Sequence, residues 1–417
     1  MLFNMKKRHQ VLLVLSILSV ITFLDRIAIS TAGERITHEL GLSNVQWGWV
    51  LGIFTLSYGI FEIPTGLLGD RFGSKKILIR VVLWWSVFTV LTGFSTGFAM
   101  LLVIRFLFGM GEAGAYPNTS IALSKWFPAH ERGQAQAIIW TASRLGAGLT
   151  PLLVIPIQQK YGWQTSFYVL GVIGISWVIL WYFWYQENPE DAKDISESER
   201  SEILKNRQLS THSSNVPLSK LLNNSNLWFL MAMYFCYASG AYFFQGWLPK
   251  YLQNGRGISE NQLKFVSSAP FLLAAAGCFF GGVLSDFLVK KYGKKWGRRL
   301  APMIGLGFSG IFLIVSALTE NNTTAIILLS IGMAFMDVTA PVSWAVAMDI
   351  GGNRSGSVSG AMNTAGLAGA YLSTVSFGYL ATHFDYNFPV IILGIIVLVG
   401  AVLWLKIDAS KALMDDL

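Results

Sequence analysis

Seven ionisable residues stand inside long apolar runs of the chain: Asp25, Arg26, Glu62, Arg105, Glu112, Arg144 and Asp337. A charge at the middle of a bilayer costs at least about 2.5–3.5 kcal/mol, so each needs a partner and usually a use. Arg105 and Glu112 are seven residues apart, two helical turns, which puts them on one face about 10 Å apart. Gly109, Gly111 and Gly114 let backbones pack closely beside them, and Pro117 then interrupts the helix. Such a face makes a poor lipid-facing stripe and a good cavity wall. Asp25 and Arg26 are neighbours and project about 100° apart, so each must find its own partner on another helix or in the cavity.

Guanidinium keeps its charge and grips a carboxylate through two parallel hydrogen bonds, which makes Arg26 and Arg105 candidate anion binders. Asp25 and Glu112 are candidate proton carriers, because the proton affinity of a buried carboxylate follows its surroundings. With both carboxylates ionised the four charges cancel. Protonating one frees positive charge for an arriving anion, so proton and anion would bind cooperatively. The five histidines, His9, His38, His130, His212 and His383, fall in loops or at the ends of apolar runs, so carboxylates rather than imidazoles would carry any protons. Cys236 and Cys278 lie in apolar runs with no CxxC or Cys/His spacing, and no phosphate-binding GxxxxGK[ST] occurs. No metal, redox or nucleotide cofactor is expected.

The elements that must position these residues follow from composition. Of 417 residues, 53% are hydrophobic and 13% charged, and the mean hydropathy is +0.50. Soluble domains carry about 25% charged residues, so a water-soluble protein is excluded, as are disordered, collagenous and disulfide-stapled chains. Taking about 20 apolar residues per crossing, the chain holds twelve candidate spans, at roughly 11–32, 46–69, 77–96, 98–121, 135–158, 164–186, 227–252, 263–289, 300–318, 324–349, 357–381 and 387–406. The long continuous runs fit helices rather than an alternating barrel. Lys6-Lys7-Arg8 before the first run imitates a signal peptide, but Asp25-Arg26 interrupts that run without ending it and many more spans follow.

Placing both termini in the cytoplasm puts all but eight of the 31 Lys and Arg inside, with Arg35, Lys160, Lys250, Arg256 and Lys264 outside and three within spans. That is the positive-inside pattern. It accounts for the net charge of +8 without nucleic acid. The expected organisation is an all-α membrane protein: a six-helix bundle over 1–186, a polar cytoplasmic linker over 187–226 with a short surface helix near Ser196–Arg207, and a second six-helix bundle over 227–417. Trp84, Trp85, Trp181 and Trp184 read as anchors at the membrane interface.

The halves echo each other. Gly66-Leu67-Leu68-Gly69-Asp70-Arg71-Phe72-Gly73-Ser74-Lys75-Lys76 follows the second span, and Gly282-Val283-Leu284-Ser285-Asp286 with Lys290-Lys291 follows the eighth. Glu131-Arg132-Gly133 is matched by Asn353-Arg354-Ser355-Gly356. Six-plus-six repetition is expected where two parallel repeats surround a central site. The Gly66–Lys76 stretch resembles the signature loop of the major facilitator superfamily. That resemblance gives Asp70 and Arg71 a gating role, through bonds to neighbouring helix ends at the cytoplasmic face.

Phe23-Leu24-Asp25-Arg26 and the run from Arg105 to Asn118 resemble the anion:cation symporter branch of that superfamily. So do Phe243-Phe244-Gln245-Gly246-Trp247-Leu248-Pro249, Pro341-Val342-Ser343-Trp344 with Asp349, and Gly360-Ala361-Met362-Asn363. The resemblance implies proton-coupled import of a small organic anion, most readily a sugar acid of the hexuronate, galactonate or glucarate type. It makes Arg26 and Arg105 the substrate-anion arginines and Asp25 and Glu112 the protonatable pair. Tyr58, Ser343, Trp344 and Asn363 would line the site. The partners implied are the anion, protons and the lipid bilayer, with a monomer in a bacterial inner membrane, because the loop over about 33–45 lacks the long insertion of eukaryotic members.

Three departures leave the substrate open. Phe23 stands where members often have Tyr, Gly366-Leu367-Ala368-Gly369 lacks an Asn that is frequent there, and Arg144 and Asp337 are additional charges. Phthalate, tartrate or sialic acid remain alternative cargoes. A drug/proton antiporter is a weaker reading, since Gly146-Ala147-Gly148-Leu149-Thr150-Pro151-Leu152-Leu153 lacks that group's trailing glycines and cavity arginines repel cations. A carrier-like nutrient sensor would be expected to carry a large cytoplasmic extension.

Overall fold

The computed structural model of the chain describes residues 5–128, 131–192, 194–206, 224–352 and 355–411. His130, Arg207, His212, Asn353 and Arg354, named above, lie outside them. Among the described residues all regular structure is helical, with no strand. Helices satisfy every backbone polar group within one segment, which a hydrocarbon environment demands. Among the described residues, eight segments are long and apolar enough to cross a membrane. Large apolar side chains face outward on them, among them Leu67, Val103, Phe183 and Phe280.

Several helices are shaped by single residues. The helix Ala269–Leu318 has 50 residues, which at about 1.5 Å each would far exceed a hydrocarbon core of about 30 Å. Gly293 divides it with φ 74° and ψ 169°, a backbone state open to glycine. Past that turn Gly297 lies so close to the preceding strand of chain that an added Cβ would sit 2.4 Å from the Val289 Cα. The ten-residue loop expected after Leu288–Val289 is therefore a one-residue turn between two helical ends, and the basic residues around 290–299 ride on those ends.

Two other helices are broken ahead of prolines. Phe98–Glu112 and Ala115–Trp126 meet just before Pro117, and Asn322–Asp337 and Thr339–Gly351 meet just before Pro341. Proline supplies no N–H to the carbonyl four residues earlier, and those carbonyls belong to Ala113 and Asp337. In each case the upstream helix ends on a buried carboxylate, Glu112 or Asp337. The seventh expected span, Ser225–Gly255, contains two π-helical turns, Phe243–Trp247 and Tyr251–Gly255, flanking Pro249.

The chain divides into two compact units, one of Met1–Ala28 with Leu56–Thr211, the other of Ile29–Thr55 with His212–Leu417. In the first, Trp177, Trp181 and Tyr185 stack in a column, with ring centres 4.9 and 3.8 Å apart. Trp181 and Trp85 are fully buried, so the expectation that they anchor at the membrane interface is corrected; Trp84 is exposed. The linker helix appears at Glu197–Asn206. Its Glu199 is buried and accepts the N–H groups of Lys7 and Arg8, each at 3.0 Å, at the start of the helix Lys7–Thr31. Arg8 reaches Glu131 at 3.1 Å and Glu202 at 3.2 Å. In the second unit, Arg35 grips Glu260 through two bonds of 2.7 and 2.8 Å. Lys250, read above as an outside loop charge, is buried there and donates to Thr37 at 2.7 Å.

The start of the helix Ser74–Thr92 is closed by Glu187, a residue outside every motif named above. Its carboxylate accepts from Ser74 N at 2.9 Å, Lys75 N at 2.7 Å and Ser74 Oγ at 3.1 Å, and pairs with Lys125. Exposed amides and the helix dipole favour an anion at this end. Burial works to lift the Glu187 carboxyl, but the hydrogen bonds from Lys125 and the two amides outweigh it and hold it below the usual carboxylate range. A carboxylate depressed in this way contributes fully above its unfolded pKa of about 4.3, and the contribution is lost as pH falls through the lower folded value. Glu187→Gln should therefore lower stability at pH 7 by about 0.5–2 kcal/mol. Thermal unfolding of parent and variant in detergent should show the gap narrowing as pH drops below about 4.3; a gap independent of pH would rule out the carboxylate as the cause.

Candidate functional site

Within the first unit, the first helix and the broken helix bring four expected residues into one buried cluster. Arg26 Nε donates to Glu112 Oε1, and Glu112 is fully buried. Arg105 is buried one face-length back along the same helix as Glu112, and its charge acts on both Glu112 and Asp25. Asp25 is buried and its Oδ2 accepts from Trp85 Nε1 at 3.1 Å. Adjacent residues on one helix thus take separate partners, as their angular offset requires.

Aromatic rings complete the surroundings. The Arg26 guanidinium carbon lies 4.6 Å from the Tyr58 ring centre, 5.3 Å from Phe23 and 5.8 Å from Tyr116. Tyr116 stacks on Trp140, with ring centres 4.8 Å apart and 5° between planes, and its hydroxyl meets Ser19 Oγ at 3.1 Å. Arg105 lies 4.6 Å from the Phe108 ring centre. A guanidinium is weakly hydrated and stacks well on an aromatic face. The rings therefore hold the cationic groups in a water-poor space. Trp85, Tyr116 and Trp140 were missed in the sequence reading. Trp85 sits in a Trp-Trp pair resembling an interface belt, and no spacing rule ties it to Asp25, 60 residues away.

The second unit has its own polar group. Asp337 is buried and accepts from the Tyr237 hydroxyl at 2.9 Å. The Trp344 indole donates to the Tyr234 hydroxyl at 3.2 Å, and the Tyr234 and Tyr237 ring centres are 5.2 Å apart. Ser343 is fully buried and donates to the Thr339 carbonyl at 2.9 Å, so its hydroxyl hydrogen is used within its own helix. Asn363 is partly buried on the helix Ser355–His383.

The signature loops differ between units. Asp70 and Arg71 close the helix Asn44–Phe72 and are exposed, and neither forms an ion pair with a described residue. The helix end expected of them is instead capped by Glu187. The second copy is engaged: Arg298 joins Asp286 at 2.8 Å and Asp349 at 3.1 Å, and Lys294 joins Asp349 at 3.2 Å.

An all-helical chain with membrane-length apolar segments and a buried cluster of paired arginines and carboxylates defines a polytopic carrier class. Residues 15–374 match the family described as the Major Facilitator Superfamily, and the chain belongs to it. It is 35% identical over 410 residues to a protein of Cupriavidus necator named "Probable sulfoacetate transporter SauU", covering 97% of this chain and 95% of that one. It is 30% identical to a Bacillus subtilis hexuronate transporter, covering 88% and 87% of the two chains. A D-galactonate transporter of Escherichia coli is 31% identical, with 95% and 94% covered. The fold is similar to a bacterial homologue of the human lysosomal transporter Spinster in an inward-facing, unoccupied conformation, with a TM-score of 0.78, 19% identity and 98% of each chain covered. The chain is thus a major facilitator whose relatives are transporters of sugar acids and other organic anions.

The Arg26–Glu112 pair yields a direct test of the cluster's energetics. Removing one partner of a buried ion pair costs about 3–5 kcal/mol, since the other charge stays out of water. Glu112→Ala should lower the midpoint of thermal unfolding in detergent strongly. Glu112→Gln, which keeps an acceptor oxygen, should lower it less. Equal midpoints for parent and alanine variant would show that the pair does not hold these helices.

Proposed function

We propose that the chain imports a small organic anion into a bacterial cell across the inner membrane by proton-coupled symport and alternating access. The anion is a sugar acid of the hexuronate, galactonate or glucarate type, or a comparably small sulfonated or dicarboxylic acid. The reading takes twelve spans with both termini cytoplasmic, six-helix bundles over 1–186 and 227–417 joined by the 187–226 linker, and a monomer as the working unit. The observation that carries it is the buried ion pair of Arg26 with Glu112, alongside Arg105 and Asp25.

The chemistry follows from competition for guanidinium. With Glu112 ionised, Arg26 is occupied by an internal carboxylate. A proton on Glu112 weakens that bond and releases Arg26 for the anion, which Arg105 also attracts. Proton and anion then favour each other's binding by the same factor. Deprotonation toward the cytoplasm restores the internal pair and expels the anion. Asp25 is the second protonation site, steadied by Trp85. Tyr58, Ser343, Trp344 and Asn363 supply aromatic and polar contacts to the rest of the substrate, and Asp70 with Arg71 serves the cytoplasmic gate. Clustered arginines repel cationic drugs, which supports the anion reading over a drug antiporter.

Glu112→Gln imitates the protonated state. In vesicles it should bind and exchange substrate but fail to concentrate it against a gradient. Proton-driven uptake measured beside counterflow separates the two; if Glu112→Gln and Asp25→Asn both accumulate substrate as the parent does, coupling lies elsewhere. Arg105→Lys keeps the charge and loses the bidentate fork, and should abolish measurable binding. For the gate, Asp70→Asn should slow turnover while leaving affinity within about threefold, because it biases conformations rather than contacts. Lost affinity at unchanged turnover would place Asp70 in the binding site instead.

A further inference from the structure

An open groove of about 410 Å³ lies on the surface of the second unit, lined by Phe280, Val283, Leu284, Phe287 and Val338. The first four belong to the helical run ahead of Gly293, and their spacing puts them on one face. All four are exposed. Val338 completes the lining from the break between Asn322–Asp337 and Thr339–Gly351. The two segments meet here through backbone: a Cβ added at Gly281 would lie 2.6 Å from the Val338 Cα. Glycine brings the backbones together while the phenylalanines stand beside the contact, so a furrow is left that neither segment fills. The same helical face continues to Lys290 and Lys291, three and four residues past Phe287. Both are exposed, and neither forms an ion pair with a described residue. The next basic residues are engaged: Lys294 with Asp349, Lys295 with Asp408, and Arg298 with Asp286 and Asp349. Tyr292 and Trp296 are exposed beside them, the ring types that favour a membrane–water interface.

We propose that this groove binds one anionic phospholipid, with an acyl chain laid along Phe280–Phe287 against Val338 and the phosphate held by Lys290 and Lys291. The dimensions fit a single leaflet. From Phe280 to Lys291 the helix rises about 16 Å, close to half of a hydrocarbon core of about 30 Å. A stripe that turns from apolar to cationic over that distance matches a molecule with a chain at one end and a negative headgroup at the other. Lysines near a helix end extend their ammonium groups toward the headgroups while their stems stay on apolar surface, and basic sites between membrane helices select anionic lipids. On the topology proposed above, the leaflet is the cytoplasmic one; the site itself needs no assumption about the transported substrate. A soluble anion has no chain to fill the furrow. A second copy docked about a two-fold axis along the membrane normal would bring its own two lysines to the same level, where like charges repel.

The test uses the full-length protein, delipidated in detergent and titrated with dioleoyl phosphatidylglycerol or dioleoyl phosphatidylcholine, with bound lipid counted by native mass spectrometry. The parent should take up its first phosphatidylglycerol about thirtyfold more tightly than phosphatidylcholine, about fivefold for each lysine beside an anionic headgroup. Lys290→Gln combined with Lys291→Gln should erase that preference. Lys75→Gln combined with Lys76→Gln removes the same charge at another helix start and should leave it intact. Val283→Trp, which fills the groove, should weaken both lipids although the lysines remain, and Phe287→Ala, which removes a wall, should do the same without added bulk. Unfolding midpoints close to the parent's identify the folded variants. Equal affinity of the parent for the two lipids, equal loss of preference in both lysine pairs, or unchanged binding in the groove variants would overturn the site. Soluble glycerol phosphate binding as tightly as the whole lipid would reduce it to a headgroup contact and overturn the role of the groove. A dimer that Val283→Trp dissociates would make the groove an interface between copies instead.

Discussion

A guanidinium buried in apolar surroundings must be matched, and in this chain much of the first unit is arranged around that requirement. Arg26 projects from a helix whose preceding run, Val11 to Leu24, carries no charge, and its match, Glu112, is supplied at the last residue of another helix. Solvating either charge with protein rather than water needs close approach, correct orientation and hydrogen bonds at the remaining atoms. Gly109 and Gly111 thin the helix that carries Glu112, and the break before Pro117 ends it where the carboxylate is needed. The pair is a weak source of net stability, because desolvation offsets most of the attraction. It is a strong source of geometry, because few other arrangements are tolerable.

The same logic recurs at the helix ends. Glu187 closes the helix after the signature loop, Glu199 closes the first helix, and Arg298 ties Asp286 to Asp349. The two glutamates join segments distant in sequence through a terminus whose backbone N–H groups would otherwise lack partners, while Arg298 joins side chains. The linker, which by composition is a polar tether, thereby contributes a buried glutamate to the first helix. Its helix Glu197–Asn206 is short and polar, and its docking depends on that glutamate and on Ile203, which is fully buried.

What was legible in the sequence has a physical pattern. Charges inside apolar runs were conspicuous because the membrane makes them costly, so Asp25, Arg26, Arg105, Glu112, Arg144 and Asp337 could be picked out without knowing where they meet. The two-turn spacing of Arg105 and Glu112 placed both on one buried face. Contacts made by ordinary-looking residues were not legible. Trp85 differs from its exposed neighbour Trp84 only in the direction it faces, and a helix buried on one side and lipid-exposed on the other is apolar on both, so periodicity could not separate them. Lys250 looked like a topology charge because positive-inside counting treats every loop Lys and Arg alike, and Glu187 belongs to no motif that would single it out. The turn at Gly293 was hidden because a run of lysines and arginines looks like a loop, although it can equally ride on helix ends.

The arrangement also separates two tasks that a carrier must not confuse. On the reading proposed above, coupling requires that one guanidinium be wanted by both an internal carboxylate and the substrate, and that competition is set by Arg26 and Glu112. Discrimination among anions requires a contact that the internal carboxylates do not need, and on the same reading Tyr58 offers one from a different helix than either member of the pair. On that reading, a change at such a position alters which acid is carried while the Arg26–Glu112 bond is kept. A change at Arg26 or Glu112 alters the affinity for every acid together with its dependence on protons. A fold that places these contacts on separate helices can vary its cargo without rebuilding its coupling.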